Sequence, residues 1–192
     1  MKPAITPIVI LDRDGVINYD SAEYIKTADE WLPIPGSAEA IASLSNEGFD
    51  VYVVTNQSGI GRGLFDEVAY AAITKKMLTT IAAAGGRIKA VLHCPHSPED
   101  QCECRKPKTG LFEQVAKISG QALNNIPSVG DSLRDLQAAH DAGCKPILVK
   151  TGNGLKTLAA LAREYSELRL YTTVYDDLGA AASALIAERG ES

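Results

Sequence analysis

Two acidic residues separated by one position are the part of this chain with the clearest capacity for chemistry. Asp12 and Asp14 follow an apolar run at residues 7–11 and precede Gly15. Successive side chains of an extended chain point to opposite sides, so we expect both acids to project one way and Arg13 the other. Two carboxylates in a small volume repel each other unless they share a proton or a divalent cation. A solvated turn is the alternative interpretation, since Asp and Gly are ordinary turn residues.

Other polar residues follow apolar runs in the same way. Thr55 comes directly after residues 51–54, and Asp131 follows residues 126–129 with one glycine between. The short apolar runs alternate with helical patterns, which predicts an α/β fold: a doubly wound parallel sheet covered by helices on both faces. Such sheets bind ligands beyond the carboxyl ends of their strands. The pattern therefore favours one shared site, although each residue alone could be a turn residue or a helix cap.

Three cysteines and two histidines lie within residues 93–104, a stretch too rich in proline and charge to form a core. Soft thiolate and imidazole ligands favour tetrahedral zinc. We expect four zinc ligands: Cys94, His96, Cys102 and Cys104. Because four protein ligands leave no open position, the zinc would be structural and would order an inserted loop at residues 93–105. His93 and Cys144 are then packed residues, and unliganded buried cysteines are the alternative.

The composition limits the class of protein. With 192 residues, 45% of them hydrophobic, the chain is most simply one domain spanning residues 1–192. Its net charge of -5 argues against a nucleic-acid footprint. No apolar stretch approaches the ~20 residues of a membrane span, and the first apolar run is too short for a signal peptide. We therefore expect a cytoplasmic monomer without nucleic-acid or membrane partners, and the clustered cysteines suit a reducing compartment.

The spacing of apolar residues predicts the elements that must position these groups. Helical patterns begin near residue 37 and at residues 67, 111, 133, 155 and 178. Strands are predicted at residues 7–11, 51–54, 90–92, 126–129, 146–149 and 170–174. The segments between the motifs are too short for a separate cap domain. Substrate selection must then fall to residues 19–24, residues 58–63 and the zinc loop.

Together these motifs resemble those of the haloacid dehalogenase superfamily of phosphohydrolases. The motifs are DRDGV after the first strand, VVTN at the end of the second, a lysine at Lys106 and GDSLRD after the fourth. The cysteine-rich segment that runs into CRKPKTG is similar to the histidinol-phosphatase-like subfamily. Two positions depart from the pattern: Val16 stands where threonine is common, and Ser132 where lysine is more frequent. With lysine missing there, Lys106 is expected to do more of the phosphate positioning.

The resemblance implies a magnesium-dependent phosphomonoester hydrolase. Asp12 would form an aspartyl-phosphate, while Asp14 first protonates the departing oxygen and then accepts a proton from water. For this to work, Asp14 must hold a proton while Asp12 stays ionised. Mg²⁺ would be held by Asp12, Asp131 and the backbone carbonyl of Asp14. Thr55 and Lys106 would hold the oxygens of the transferring phosphoryl group.

The resemblance also implies a small phosphorylated sugar as substrate. Arg105 has the planar donor fork that suits the phosphate remaining on the sugar. Asp135 is expected near the outer shell of the magnesium ion. The predicted substrate contacts are Asp20, Ser21, Asn56, Gln57, Ser58, Arg105 and Ser132.

Several alternatives remain open from the sequence. Histidinol phosphate or another small phosphorylated metabolite would keep the chemistry and change the substrate. A DNA 3′-phosphatase of the same superfamily would need a basic track that this composition lacks. A phospho-accepting signalling receiver would need neither Asp14 nor the zinc cluster. A degenerate phosphosugar-binding module would not need every catalytic position filled.

Overall fold

A six-stranded, wholly parallel sheet lies at the centre of the structure, a computed structural model that describes residues 6–190. Its strand order is β3-β2-β1-β4-β5-β6, so the chain winds outward on both sides of β1. The strands are β1 Ile8–Leu11, β2 Asp50–Asn56, β3 Ala90–Cys94, β4 Pro127–Gly130, β5 Lys145–Val149 and β6 Thr173–Tyr175. The order reverses between β1 and β4, which is where an open sheet of this kind forms a ligand crevice.

Helices cover both faces of the sheet, as the alternating patterns predict. They are α1 Ser37–Asn46, α2 Ser58–Gly61, α3 Glu67–Ala83, α4 Gly110–Ser119, α5 Leu133–Asp141, α6 Gly154–Arg163, α7 Ser166–Tyr171 and α8 Leu178–Gly190. Val9 and Leu11 of β1 pack into the core formed with α1, α3 and α8. Ile8 and Ile10 pack on the other face with Phe112 of α4. Because both faces are buried, all four residues of β1 are apolar.

The C-terminal part differs from the sequence prediction. The last strand was expected at residues 170–174, but it begins at Thr173 because residues 166–171 form α7. Leu170 and Tyr171 are exposed, whereas a strand of this sheet would bury an apolar run. Leu168 instead packs against the cluster containing Leu148 and Leu161. The prediction was wrong because six residues are too few to distinguish a helical from an extended pattern.

The segments between the motifs are short, as expected. Within residues 6–190, the chain from Asn18 to β2 holds a loop and α1, and the chain from β2 to Lys106 holds α2, α3, β3 and the cysteine-rich loop with a 3-10 helix at Pro98–Asp100. Neither segment forms a separate cap over the sheet. The start of the N-terminal segment, residues 1–5, and the end of the predicted polar tail, residues 191–192, lie outside the described residues.

None of the helices in the described part of the chain combines the length and the hydropathy needed to cross a membrane.

Candidate active site

Three carboxylates meet beyond the carboxyl ends of β1 and β4. One oxygen from each of Asp12, Asp131 and Asp135 lies within 4.8 Å of the others. The sheet register brings them together: Leu11 pairs with Val129, and the Asp12 amide donates to the Val129 carbonyl at 2.9 Å. Clustered carboxylate oxygens are the ligands that Mg²⁺ prefers. The structure therefore gathers two predicted magnesium ligands and adds Asp135 beside them.

The electrostatics of these acids call for a cation. Burial, reinforced by the carboxylate of Asp135, raises the pKa of Asp12 to about 8. Burial and Asp135 also raise the pKa of Asp131 to about 7. Near pH 7 and without added positive charge, these groups are partly or largely protonated. A divalent cation would supply the missing charge, so the residues present fit Mg²⁺.

Lys106 supplies the only ammonium that the described residues place against this cluster. Its buried Nζ lies 2.9 Å from Asp12, 2.6 Å from Asp135 and 2.8 Å from the carbonyl oxygen of Val54. Burial alone would lower the pKa of Lys106, but the carboxylates of Asp12 and Asp135 outweigh it and raise the pKa. The ammonium is therefore charged and holds Asp12 in place.

Asn56 connects β2 to this lysine. Its side-chain amide donates to the Lys106 carbonyl and accepts from the Lys106 amide, both at 3.0 Å. Asn56 lines the cavity, as predicted for a substrate contact, yet both ends of its amide group are used by the lysine backbone. The visible role of Asn56 is therefore to fix the segment that carries Lys106.

Asp14 lies in a network of its own. Arg13 donates to both of its carboxylate oxygens, at 3.0 and 2.9 Å, and Asn18 and Gln57 add one bond each, at 2.9 and 2.8 Å. The expectation that Arg13 projects away from the acids was wrong. The extended backbone ends at Leu11, and the chain then turns through Gly15, whose φ is +82°. Alternation of side chains therefore no longer holds at residues 13 and 14.

Thr55 and Gln57 join this network from the end of β2. The Thr55 hydroxyl accepts a hydrogen bond from the side-chain amide nitrogen of Gln57 at 2.9 Å. The side-chain oxygen of Gln57 in turn accepts a hydrogen bond from Arg13 at 3.0 Å. Both side chains are buried. The chain then enters α2 at Ser58, whose side chain reaches the cavity wall. The ends of β1 and β2 are thus joined by hydrogen-bonded side chains.

These groups surround a cavity of about 240 Å³. Most of the predicted site residues line it: Asp12, Asp14, Asp20, Ser21, Thr55, Asn56, Gln57, Ser58, Arg105, Lys106 and Asp131. Ser132 lies beneath the wall instead, where its backbone amide and hydroxyl donate to Asp135 at 3.0 and 2.5 Å and cap α5.

Sequence reasoning missed several residues of the wall. They are Arg13, Ile25, Arg134 and Asn153, whereas Tyr24 and Arg62, which also line the wall, lie in the loops that were expected to select the substrate. Arg62 ends α2, and Arg134 lies in the first turn of α5. Asn153 lies in the turn after β5, so the same rule that places ligands at strand ends could have identified it.

The cysteine-rich loop gathers the four predicted zinc ligands. Sγ of Cys104 lies 3.2 Å from Sγ of Cys94, 3.5 Å from Sγ of Cys102 and 3.2 Å from Nδ1 of His96. Ligands about 2.0–2.3 Å from a central zinc ion would be separated by similar distances. Burial raises the pKa of Cys94 to about 12 and also raises that of Cys104. Burial acts on Cys102 in the same direction, but hydrogen bonds from neighbouring thiols and backbone outweigh it and lower the pKa of Cys102 to about 7. Without a metal ion, a thiolate is therefore favoured at Cys102 alone among the three. The geometry and the donor set both fit zinc.

The two leftover residues are packed as predicted. His93 stacks on Tyr70 with ring centroids 4.0 Å apart and lies 3.5 Å from Glu67. Cys144 is buried in the core, and burial raises its pKa to about 12. Neither belongs to the four-ligand cluster.

Two protein families match the chain. The HAD-hydrolase-like family matches residues 103–181, and the polynucleotide kinase 3 phosphatase family matches residues 7–139, more than half of the sequence. Curated relatives from Pseudomonas aeruginosa and Bordetella bronchiseptica, both named D-glycero-beta-D-manno-heptose-1,7-bisphosphate 7-phosphatase, are each 49% identical. The matches cover 93% and 94% of this chain and 97% and 98% of the relatives.

Solved structures agree with these relatives. The D,D-heptose 1,7-bisphosphate phosphatase of B. bronchiseptica, complexed with magnesium and phosphate, has a TM-score of 0.90 and 48% identity, over 95% of this chain and 99% of that one. The corresponding phosphatase of Burkholderia thailandensis has a TM-score of 0.72 and 43% identity, over 94% and 98%. Beyond the superfamily, the sequence motifs described above most resemble these heptose bisphosphate phosphatases, and the comparisons confirm that resemblance. The chain belongs to the haloacid dehalogenase superfamily, matches the polynucleotide kinase 3 phosphatase family over residues 7–139, and belongs to the family of D-glycero-beta-D-manno-heptose-1,7-bisphosphate 7-phosphatases.

Proposed function

We propose that this protein removes the 7-phosphate of D-glycero-β-D-manno-heptose 1,7-bisphosphate through an aspartyl-phosphate on Asp12. The observation that carries the proposal is the position of Asp12. Its carboxylate lies at the end of the central strand, bonded to the charged Lys106 and grouped with Asp131 and Asp135. The curated relatives named for this activity support the substrate.

Positioning and charge must supply most of the catalysis, because phosphate-monoester hydrolysis needs rate enhancements of up to about 10²¹-fold. When bound by Asp12, Asp131 and the backbone carbonyl of Asp14, Mg²⁺ would neutralise negative charge on the phosphoryl group. Lys106 and Thr55 line the cavity beside Asp12 and stabilise the remaining oxygens. Asp12 is thereby presented as the nucleophile at a fixed place.

The reaction then proceeds in two displacements. Asp12 attacks phosphorus, the bond from phosphorus to the C7 oxygen breaks, and Asp14 gives its proton to that oxygen. In the second step Asp14 takes a proton from water, which attacks phosphorus and releases inorganic phosphate from Asp12. Arg13 and Gln57 hold the carboxylate of Asp14 between these transfers.

The cavity wall suits a substrate that carries both phosphate and hydroxyl groups. Three arginines, Arg62, Arg105 and Arg134, supply cationic donors, and Asp20 and Ser21 supply groups for sugar hydroxyls. Arg105 is held by the zinc loop, since its guanidinium donates to the His96 carbonyl at 3.3 Å. The 1-phosphate of the substrate would bind to one or more of these three arginines.

The wider setting belongs to the same proposal. The protein would act as a single-domain monomer in the cytoplasm, in heptose synthesis for the lipopolysaccharide core. Histidinol phosphate is the alternative substrate that keeps the same chemistry.

A phosphate-release panel tests the substrate. It should compare both anomers of the heptose 1,7-bisphosphate with fructose 1,6-bisphosphate, histidinol phosphate and a 3′-phosphorylated DNA oligonucleotide. We expect the highest kcat/KM with the β-heptose bisphosphate. A higher value for histidinol phosphate or the oligonucleotide would refute the proposed substrate.

The Asp12→Asn variant tests the nucleophile on the same panel. We expect turnover to fall below detection with every substrate, because an amide is a poor nucleophile, while the circular dichroism spectrum stays that of the wild type. Residual activity at the wild-type level would remove Asp12 from this role.

A further inference from the structure

The turn after β5, residues 151–154, closes the site beside Asp131, and the mechanism above gives it no role. The Asn153 backbone amide donates to Oδ2 of Asp131 at 2.7 Å, and its side-chain Nδ2 donates to the same oxygen at 3.2 Å. Nδ2 also donates to Oδ2 of Asp20 at 3.1 Å. One amide group therefore lies between a metal-binding carboxylate and a carboxylate of the predicted substrate loop.

Neighbouring contacts fix this turn in place. The Thr151 hydroxyl donates to the Gly15 carbonyl at 2.6 Å, and the Thr157 hydroxyl donates to the Asp131 carbonyl at 2.8 Å. Gly152 has φ +56°, and a Cβ there would lie 2.2 Å from Oδ2 of Asp131 and 2.6 Å from Cα of Gly15. Such separations leave no space for any side chain at residue 152. The position of Asn153 is therefore set by the backbone on both sides.

The two acids on Asn153 have different surroundings. Asp131 is buried at the end of β4, whereas Asp20 is exposed in the loop after β1. Among residues 6–190, the other hydrogen bond that Asp20 accepts comes from the Ser21 amide, at 2.8 Å. Both bonds from Asn153 to Asp131 reach Oδ2, so Oδ1 is the oxygen available to a cation. Donors that fix one oxygen of a metal ligand orient the other, as in many metal sites.

We propose that Asn153 is a positioning residue that orients Asp131 for Mg²⁺ and couples magnesium binding to the sugar-binding loop through Asp20. Ordering Asp131 by Mg²⁺ holds the Asn153 amide, and that amide in turn holds Asp20. A sugar that engages Asp20 acts on the same amide from the other side. Because coupling between two binding sites is reciprocal, Mg²⁺ and sugar must each raise the affinity of the other by the same factor.

Calorimetric titration tests the proposed role of Asn153 in magnesium binding, and the measurement does not depend on turnover. Mg²⁺ is titrated into the wild type, Asn153→Ala and the control Asn124→Ala, which removes an exposed asparagine outside the cavity. All three proteins are kept zinc-loaded. We expect Asn153→Ala to bind Mg²⁺ about tenfold more weakly, since a hydrogen bond to a charged group is lost, and the control to match the wild type.

The proposed coupling between Mg²⁺ and sugar is tested with D-glycero-D-manno-heptose 1-phosphate, the product of the proposed reaction. This product is titrated into the protein with and without saturating Mg²⁺. In the wild type Mg²⁺ should tighten product binding, and in Asn153→Ala this factor should fall towards one. Either an unchanged affinity for Mg²⁺ or an unchanged coupling factor overturns the proposal.

A second variant excludes a merely structural effect. Asn153 precedes the first residue of α6, but its side chain makes no capping hydrogen bond there, and serine is as favourable as asparagine at helix starts, so Asn153→Ser should not destabilise α6. Its single hydroxyl proton cannot reach two carboxylates at once. We expect the serine variant to resemble Asn153→Ala in both titrations while melting at the wild-type temperature, and full recovery of coupling overturns the proposal.

The inferred coupling rests on the proposed function, because the coupling requires Asp20 to contact the sugar. The two can fail separately. If the wild type does not hydrolyse heptose bisphosphate, the proposed function fails while the Mg²⁺ titration still decides the role of Asn153 towards Asp131. If hydrolysis is observed and the variants bind Mg²⁺ and product as the wild type does, only the inference about Asn153 fails.

Discussion

At the scale of single residues, the carboxylate of Asp14 has the most completely satisfied hydrogen bonding in the site. Each of its two oxygens accepts two hydrogen bonds, from Arg13, Asn18 and Gln57. Buried Arg13 has no freedom to move away without leaving its own charge unpaired. Asp14 is therefore held apart from the carboxylates of Asp12, Asp131 and Asp135. One of its four hydrogen bonds must open before this carboxyl group can carry the proton that the proposed mechanism assigns to it.

The Asp14→Asn variant tests that role through the leaving group. A sugar alkoxide departs poorly without a proton, whereas p-nitrophenolate departs readily without one. We expect kcat/KM to fall by about 10²–10⁴-fold with the heptose bisphosphate and by roughly tenfold or less with p-nitrophenyl phosphate. The ratio kcat/KM is the right measure because it reports events up to formation of the aspartyl-phosphate. Equal losses on the two substrates would contradict the acid role of Asp14.

Residue types predicted most of the site, but not every orientation. Asp12, Thr55 and Asp131 were identified because each follows an apolar strand, and parallel strands end at a common edge. The direction of Arg13 could not be predicted, since it depends on where β1 ends and on the turn at Gly15. Alternation of side chains is a property of strands alone.

At the scale of elements, the loop after β2 is bonded to the cysteine-rich loop after β3. The backbone amide of Gln57 donates to the Cys94 carbonyl at 2.7 Å, and the backbone amide of Gly61 donates to the Pro95 carbonyl at 2.8 Å. A Cβ at residue 61 would lie 2.7 Å from the Pro95 carbonyl oxygen, so only glycine allows this approach. The cysteine-rich loop thus supports the wall of the cavity as well as the segment that leads to Lys106, and zinc bound there would hold that loop in place.

Removing one zinc ligand should therefore lower both stability and activity. In Cys104→Ser we expect bound zinc to be lost, the melting temperature to fall by about 2–4 °C for each kcal/mol of lost stability, and kcat to fall at least tenfold, roughly the size expected when a positioning shell is lost. Cys144→Ala is the matched control, because that cysteine lies in the core outside the zinc cluster. Metal analysis, thermal melting and phosphate release measure the three effects. Zinc-free Cys104→Ser with wild-type kcat would refute the link between zinc and catalysis.

The elements themselves differ in how far sequence patterns predict them. The first five strands lie close to their predicted bounds because they are short apolar runs that end at polar residues or glycine. The longer helices do so because a buried face repeats with a helical period over nine or more residues. The short helices α2 and α7 were missed, since four and six residues carry too little periodicity. Arg62 follows α2, so its place on the wall depends on a helical turn that the pattern did not predict, although residues 58–63 were expected to select the substrate.

At the scale of the whole molecule, the fold concentrates negative charge at one place. The reversal of strand order between β1 and β4 brings Asp12, Asp131 and Asp135 together, with Lys106 as their neutralising partner. Burial and mutual repulsion raise the pKa of Asp12 to about 8 and that of Asp131 to about 7. Metal-free protein therefore loses stability as these groups ionise.

The sign of this effect gives a pH prediction. An acid whose pKa is higher in the folded than in the unfolded protein stabilises the fold at low pH, and that contribution is lost as pH rises towards the folded-state pKa. Mg²⁺ binds the ionised acids and compensates at high pH. We expect Mg²⁺ to raise the melting temperature more at about pH 8 than at about pH 6, with zinc kept saturating. Equal shifts at both pH values, measured by calorimetry, would contradict this account of the carboxylate cluster.

The hydrogen bond from Thr151 to the carbonyl of Gly15 joins parts of the chain that are 136 residues apart. A ribosome therefore delivers the nucleophile early in translation and the turn that holds Asp131 late. A nascent chain stopped before β5 contains Asp12 and Asp14, but it lacks the hydrogen bonds from Asn153 that orient Asp131. Phosphatase activity must then appear only after most of the polypeptide has emerged, so incomplete products of translation carry no working site.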